Sequence, residues 1–258
     1  MGARLVPWDG QNITAIGRGA LVKSVLTSQV LYHIIALNPP ASTLLSINKI
    51  ERAFLWAGTD KTTGAKCKVN WNSVCRPTDL GGLGILDLAK FASALRLRWL
   101  WFEWMELSKM WVGMANPCDE LDRDLFFSSS RIIIGNGARA PFWDSPWVNG
   151  EKPSDIAPLI FEASKKKRWK VRDAMHEGNW LTKIKLLDNW TMEHIRQIVT
   201  LWARVRAILM VADMEDNIIW KHTTDGTYPA TSAYHAQLLG SVRSPMGAAV
   251  WKAWPPLR

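Results

Sequence analysis

The residues from Val69 to Trp104 constrain the fold of this 258-residue chain more than any other stretch. Three closely spaced glycines (Gly81, Gly82 and Gly84) are followed at once by a long apolar sequence. Asp87 lies between the glycines and the apolar sequence. A short carboxylate side chain can accept hydrogen bonds from the free N–H groups of a first helical turn. The stretch therefore predicts a glycine turn, an aspartate N-cap and a helix up to Trp104.

Apolar residues recur in this helix at the 3.6-residue period, which predicts one buried face. They are Leu88, Phe91, Leu95, Trp99 and Phe102. Lys90, Arg96 and Arg98 fall outside that stripe and are expected to face solvent. Two interpretations of this basic strip stay open: contacts to phosphates, or aliphatic stems that cover apolar surface.

Two further helices are predicted before the motif. The first spans residues 12–37 and ends at Pro39-Pro40, with an apolar stripe of Ile16, Leu21, Val25, Tyr32 and Ile35. The second is capped by Ser42 and buries Leu44, Ile47, Ile50 and Phe54, which leaves Lys49, Glu51 and Arg52 in water. Together they predict a helical hairpin.

The second half of the chain changes character. β-Branched runs precede Gly135-Asn136-Gly137 and Asp225-Gly226, a pattern that is typical of two local β-hairpins. A helix over 192–209 lies between them, and Thr231 or Ser232 is expected to cap a last helix. The fold class predicted is mostly α (α+β), with a helical region over 1–112 and an α+β unit over 113–258.

Charge indicates the partner. Lysine and arginine number 32 against 23 acidic residues, which gives a net charge of +9 and favours a polyanion such as nucleic acid. The densest basic run is Lys165, Lys166, Lys167, Arg168 and Lys170, interrupted by Trp169. Such a run suits a nucleic-acid backbone groove, although a solvated loop would have the same composition. The sixteen tryptophans are expected to anchor packing, with some available for stacking on bases.

Several kinds of site are excluded by the pattern. Three cysteines without CxxC spacing and five scattered histidines predict neither a disulfide framework nor a metal site. The acids Asp119, Glu120, Asp122 and Asp124 are expected to cap a helix rather than to bind metal. The three glycines lack the Lys and Ser/Thr of a phosphate-binding loop, and no GxSxG occurs. With no signal peptide and no long apolar run, a nuclear or cytoplasmic protein without a membrane is expected.

An ordered set of motifs covers nearly the whole chain. These are GALVKSVL (19–26), IERAFLW (50–56), VNW (69–71), CRP (75–77), GGLGI (81–85), ALRLRWLW (94–101), IGNG (134–137), FWD (142–144) with Trp147, WK (220–221), DG (225–226), SAY (232–234) and VWKAW (250–254). In this order they resemble the post-palm region of plant LINE-type (non-LTR) retrotransposon reverse transcriptases, which are RNA-directed DNA polymerases. The resemblance implies a fragment: a thumb-like helical region over 1–112 and, over 113–258, a connector ahead of a truncated zinc-binding domain.

The resemblance also implies which catalytic and metal-binding residues of the family we expect to lie outside this sequence. Its palm carries an aspartate pair that binds magnesium, and its zinc ligands are Cys and His residues in a later segment. No Asp-Asp pair occurs in this sequence, and we expect both centres to lie outside it. The expectation is therefore a non-enzyme with no catalytic residue, metal or cofactor of its own, and weak nucleic-acid binding. By motif position, Lys23, Arg96 and Arg98 are implied contacts to the nucleic-acid backbone.

Two other hypotheses stay open. One is a host-repurposed module whose exposed tryptophans recognise a protein. The other is a degenerate reading frame without a selected role.

Overall fold

The computed structural model describes residues 10–106, 108–185, 190–242 and Trp251. Most of the regular structure is helical. The helices are α1 (Ala15–Leu21), α2 (Thr27–Ala36), α3 (Ala41–Ala57), α4 (Trp71–Val74), α5 (Leu88–Met105), α6 (Glu120–Ser129), α7 (Pro153–Ile156), α8 (Pro158–Ala163), α9 (Val171–Met175), α10 (Asn179–Thr182), α11 (Met192–Arg206) and α12 (Ala230–Ala236). Short 3₁₀ turns span Gly64–Lys66, Thr78–Leu80 and His176–Gly178. The strands are β1 (Ser130–Ile133) and β2 (Asn217–Trp220). The fold class, mostly α with a small antiparallel sheet, is confirmed.

The described residues fall into two compact units that interleave along the chain. The first contains residues 10–99, 114–118, 233–242 and Trp251, and the second contains 100–106, 108–113, 119–185 and 190–232. The predicted boundary between a helical region over 1–112 and an α+β unit over 113–258 stays a prediction.

The first predicted helix is present, but its buried face differs from the prediction. A π-helical segment, Val22–Leu26, joins α1 to α2, and Thr27 donates its hydroxyl to the carbonyl of Val22 five residues back. Ile16 and Tyr32, expected in the core, are exposed. The buried residues are instead Val22, Leu26 and Ile34, together with the small residues Ala15 and Gly19, which were not part of the predicted apolar stripe. The side chain of Ile35 lies outside the described part of the chain.

The second predicted helix, α3, is also present, but the prediction was wrong about its cap and about one residue of its polar face. It begins at Ala41 after Pro40, so Ser42 is not the cap. Glu51, expected in water, is completely buried. Its Oε1 lies 3.2 Å from the hydroxyl oxygen of Thr27, and burial raises the pKa of this carboxyl to about 7.

The glycine turn and its aspartate cap are confirmed. A Cβ on Gly82 would stand 2.0 Å from the carbonyl oxygen of Arg76, so only glycine fits this close approach. The Oδ1 atom of Asp87 accepts the backbone N–H of Ala89 at 3.1 Å and that of Lys90 at 3.3 Å. These contacts fix the start of α5.

Helix α5 is buried on more than one side. The expected stripe is only part of its contact surface, because Ala92, Ala94, Leu97, Leu100 and Trp101 are also buried. The predicted polar side of the helix is therefore narrower than the sequence pattern indicated.

The two predicted β-hairpins are wrong as pairings, although both strands exist. β1 pairs with β2 in antiparallel register, Ser130 opposite Trp220 and Ile133 opposite Asn217. Each strand thus pairs with a strand more than eighty residues away in the sequence, and not with the segment that follows its own predicted turn. A local turn does occur at Asp225–Gly226, where the backbone N–H of Trp220 donates to the Gly226 carbonyl at 2.8 Å.

The segment around Gly135–Gly137 wraps the buried carboxylate of Asp216. Four backbone N–H groups donate to it, those of Gly135, Gly137, Arg139 and Ala140, over 2.8 to 3.1 Å. Asp216 is only 3% exposed, so the carboxylate satisfies four donors that would otherwise be buried without partners.

Two of the three helix starts predicted for the second half of the chain are confirmed, and one is wrong. α6 begins with a capping box between Asp119 and Asp122, as expected for the acidic cluster. α11 runs from Met192 to Arg206 behind Thr191, close to the predicted 192–209. α12 begins at Ala230, so Thr231 and Ser232 lie in its first turn and do not cap it. Ser232 instead accepts the indole N–H of Trp220 at 2.7 Å.

Candidate nucleic-acid interface

The basic run forms a loop between α8 and α9 in the second unit. The side chains of Lys165, Lys166, Lys167, Arg168 and Lys170 are all exposed. Trp169, between the last two, is half-buried. The structure therefore brings five cations together on one loop of six residues, which hereafter is called the basic loop (165–170).

Both ends of the basic loop are held by backbone hydrogen bonds. At its start, Lys165 donates its N–H to the carbonyl of Lys183 at 2.9 Å. At its end, the carbonyl of Trp169 accepts the N–H of Phe142 at 2.7 Å, and Val171 donates to Ala140 at 2.9 Å. These bonds fix the path of the chain, so the five cations are displayed from an ordered segment.

Aromatic rings hold two of the ammonium groups. The Nζ atom of Lys166 lies 4.7 Å from the ring centre of Trp169, and that of Lys167 lies 4.6 Å from the ring centre of Phe161. Each contact of this kind contributes on the order of 0.5–1 kcal/mol at an exposed site. These rings serve as supports for cations, and the same ring face is not open for a base to stack on.

Two surface grooves adjoin the basic loop. The first, of about 700 Å³, is lined by residues 164–169 with Asp173 and Asn179. The second, of about 780 Å³, shares Arg168 and Trp169 with it. Its other lining residues are Glu120, Arg123, Asp124, Phe127, Pro141, Asp144, Lys152 and Lys170. The first groove is the more uniformly basic.

The carboxylates of the second groove are partly neutralised by its cations. Lys152 pairs with Asp124 at 2.9 Å between Nζ and Oδ1. Burial raises the pKa of Asp144, while the neighbouring Lys152, Lys167 and Arg168 act in the opposite direction. A phosphate placed near Arg168 would therefore meet the other cations of the basic loop in the first groove, and Arg123 and Lys152 together with three carboxylates in the second.

Two of these groove residues escaped the sequence analysis. Arg123 and Lys152 lie well before the basic run in the sequence and within no basic cluster of their own. Only the packing of α6 and the 141–152 segment beside the loop brings them to the groove, so no local signal could have identified them.

The other predicted contacts lie in the first unit and differ from one another. Lys23 is exposed, and its Nζ lies 3.6 Å from where a Cβ on Gly84 would stand. Arg98 is exposed as well. Lys90 is half-buried, and its Nζ forms an ion pair with Oδ2 of Asp87 at 2.9 Å.

Arg96 is the clear correction. It was expected on the solvent side of the helix, but it is only 6% exposed. The reason is that α5 is covered on several sides, so the periodic stripe did not identify all of its buried positions. The expected solvent exposure of Arg96 is therefore wrong, and its contact with a nucleic-acid backbone stays a prediction.

Among the described residues, metal ligands do not assemble and the buried cysteine is not activated. Burial raises the pKa of the Cys75 thiol far above its usual range, with the charges of Asp87 and Glu51 acting in the same direction. That thiol is therefore no activated nucleophile. Within the described residues, no three His, Cys, Asp or Glu side chains are grouped so that they could hold a metal ion. The expectations about magnesium, zinc and catalysis stay predictions.

The tryptophans mostly serve packing. Among those in the described ranges, only Trp202 has an exposed side chain. Trp143, Trp147 and Trp180 form one buried aromatic cluster with Phe142. Trp8 and Trp254 lie outside the described residues, as does the segment Val250–Trp254 apart from Trp251.

No helix in the described part of the chain is long and apolar enough to cross a membrane.

Comparison with known proteins gives one informative match. The chain is 24% identical, over 294 aligned positions, to an Arabidopsis thaliana protein named "Putative ribonuclease H protein". The alignment covers 99% of this chain and 45% of the relative, so the chain spans less than half of that protein's length. No family model matches the chain. No solved structure matches it either.

Proposed function

We propose that this chain is a non-catalytic part of a plant retrotransposon reverse transcriptase and that it binds the phosphate backbone of nucleic acid through the basic loop. The ordered motifs from residue 19 to residue 254 support the family. The similarity along 99% of the chain to a plant protein named for a ribonuclease, an enzyme class that acts on nucleic acid, supports the setting.

The basic loop is the observation that carries the proposal. Five exposed cations lie between residues 165 and 170 on a backbone anchored at both ends. An ordered loop loses less conformational freedom on binding than a flexible one, so more of the electrostatic attraction remains as affinity. Each lysine or arginine that meets a phosphate also releases counterions from the nucleic acid.

The same geometry favours recognition of the backbone over recognition of bases. The rings nearest the cations, Trp169 and Phe161, are occupied by the ammonium groups of Lys166 and Lys167. Single-strand binders add a stacking contribution of about 1–3 kcal/mol per base from open aromatic faces. Without it, binding should depend on phosphate charge and be indifferent to sequence.

A charge-neutralised variant tests the proposal. In the loop variant, K165Q/K166Q/K167Q/R168Q, four exposed cations of the basic loop are removed. A matched control, K61Q/K66Q/K109Q/R206Q, removes four exposed cations elsewhere and has the same net charge. Dissociation constants for a labelled DNA duplex and for an RNA–DNA hybrid of mixed sequence are measured by fluorescence anisotropy at low salt.

The two variants should behave differently. The loop variant should bind at least about a hundredfold more weakly than the wild type, since four phosphate contacts are lost, while the control loses much less. Equal weakening in both variants would mean that net charge alone attracts the nucleic acid. That result would overturn the assignment of the basic loop as the binding surface.

A protein-interaction role is the second candidate, because α11 exposes an apolar stripe. Met192, Ile195, Val199 and Trp202 follow one another at spacings of three and four residues, and all four are exposed. The test compares proteins retained by the wild type and by I195E/V199E, with the surface variant T200E as the control. Retention of the same proteins by all three would exclude this stripe as the contact.

A further inference from the structure

The first unit contains a second basic groove, remote in sequence from the basic loop. It lies between one face of α3 and the segment 64–72, and its volume is about 520 Å³. Helix α3 contributes Leu45, Asn48, Lys49 and Arg52, which share a face because they are three, four and seven residues apart. The facing segment contributes Gly64 and residues 67–72.

The charge of this groove has one sign. Lys49, Arg52 and Lys68 line it, and no carboxylate is found among the described residues of its wall. The remaining polar side chains are three asparagines, one tryptophan and the thiol of Cys67. A wall that combines three cations with neutral hydrogen-bonding groups attracts anions and repels cations.

Two hydrogen-bond donors in the wall are buried without an acceptor. They are the Nε atom of Arg52 and the Nε1 atom of Trp71. Leaving a buried donor unpaired costs about 1–3 kcal/mol, and more when the donor is charged. Buried donors without an acceptor are rare in folded proteins, and an acceptor supplied by a ligand would satisfy these two.

Asn48 also has an unpaired amide oxygen in this wall. An amide side chain can be turned about its last bond, which exchanges its oxygen with its NH₂ group. In the turned orientation Asn48 would present a third donor to the groove. The wall therefore accommodates an acceptor with several oxygens.

We infer that this groove is a binding site for a phosphate group. A phosphate offers oxygens in several directions, which suits a wall whose lining residues on both α3 and the facing segment carry hydrogen-bond donors. A guanidinium such as that of Arg52 is suited to phosphate because its N–H groups form a planar fork. The phosphate is either a phosphodiester of a nucleic acid or a free phosphate or nucleotide.

The experiment titrates two probes into the full chain at constant ionic strength. Inorganic phosphate is followed by phosphorus NMR, and a labelled DNA duplex is followed by anisotropy. K49Q/K68Q removes two cations from the wall, while K61Q/R206Q is the matched control, because both of its cations are exposed and lie outside the wall and the segment 64–72. Circular dichroism of each variant verifies the fold.

Loss of affinity in K49Q/K68Q by about tenfold or more, with the control near wild type, is the expected result. If phosphate and duplex both lose affinity, the groove takes phosphate groups in general, whereas a loss for the duplex alone identifies a phosphodiester site. Unchanged affinity of K49Q/K68Q for both probes, or no measurable binding of either by the wild type, would overturn the inference.

The loop variant of the basic loop is titrated in parallel. It should keep the wild-type affinity for inorganic phosphate at the groove, because its substitutions lie in the second unit. Failure of the groove and failure of the basic loop are thus read from different variants.

Discussion

The Oδ1 atom of Asp216 accepts the backbone N–H of Gly137 at 2.8 Å, although 79 residues separate the two positions. The same carboxylate takes three further backbone N–H groups, so it joins the start of β2 to the loop that follows β1. We regard this contact as the connection that fixes the second unit around its short sheet.

Replacement of Asp216 should therefore be strongly destabilising. Hydrogen bonds to a charged group contribute about 1.5–3 kcal/mol each without being additive, so D216A is expected to lower the free energy of unfolding by about 3 kcal/mol or more. Urea denaturation monitored by circular dichroism measures the change. D213A, an exposed aspartate three residues earlier, is the control. Similar losses for the two variants would refute the role of the carboxylate.

Gly135 tests the same region by steric means. A Cβ on Gly135 would stand 2.1 Å from the carbonyl oxygen of Met214 and 2.6 Å from that of Glu215. Backbone atoms cannot give way as a side chain can, so G135A should cost about 2 kcal/mol or more. G64A is the matched control, because a Cβ on Gly64 meets open space. A G135A protein as stable as G64A would show that the approach is looser than described.

The raised pKa of Glu51 leads us to expect that the stability of the protein depends on pH. Its pKa rises from an ordinary value near 4.5 to about 7 in the folded protein, mainly because burial disfavours the charged carboxylate. Between those two values the folded state binds more protons than the unfolded state, so stability falls as the pH rises through this window. Above about pH 7 the loss is complete and amounts to about 3 kcal/mol.

The substitution E51Q should abolish this contribution. The variant should be close to the wild type in stability at about pH 5 and more stable than it at about pH 8, because a neutral amide carries no charge to bury. Urea denaturation at several pH values gives the comparison. A difference between the two proteins that does not change with pH would rule out titration of Glu51 as the cause.

Primer extension tests the proposed absence of polymerase activity. No Asp-Asp pair occurs in the sequence, and the proposed function places magnesium chemistry in another part of the parent polymerase. The chain incubated with a primed RNA template, deoxynucleotides and magnesium should give no extended product on a sequencing gel. Extension above that of a heat-denatured sample would contradict the proposal.

Local signals in the sequence predicted part of the local structure, although Ser42 and Thr231 or Ser232 are not the caps that the pattern indicated. Asp87 before α5 and Asp119 before α6 cap their helices as expected, since a cap depends only on residues within one turn. The strands β1 and β2 were also recognisable from their β-branched residues. Their pairing was not, because each strand could form a hairpin nearby and only tertiary packing decides between the two.

The prediction of the candidate site was likewise right where the signal is local and wrong where tertiary packing decides. The basic loop was predictable, since its charge is contiguous, and solvent exposure of its cations follows from their number. Burial of Arg96 and Glu51 was not predictable, because it depends on which other elements cover α5 and α3. The π-helical segment before Thr27 also shifts the helical phase by a residue, which no hydropathy pattern records.

The salt dependence of duplex binding tests the central claim most directly. The logarithm of the association constant, plotted against the logarithm of the salt concentration, has a slope of about −0.9 for each phosphate neutralised. With the five cations of the basic loop in contact, the wild type should give a slope of about −4.5, and the loop variant, which lacks four of them, should lose about 3.6 of it. A wild-type slope near zero, or an unchanged slope in the loop variant, would contradict backbone binding by this loop.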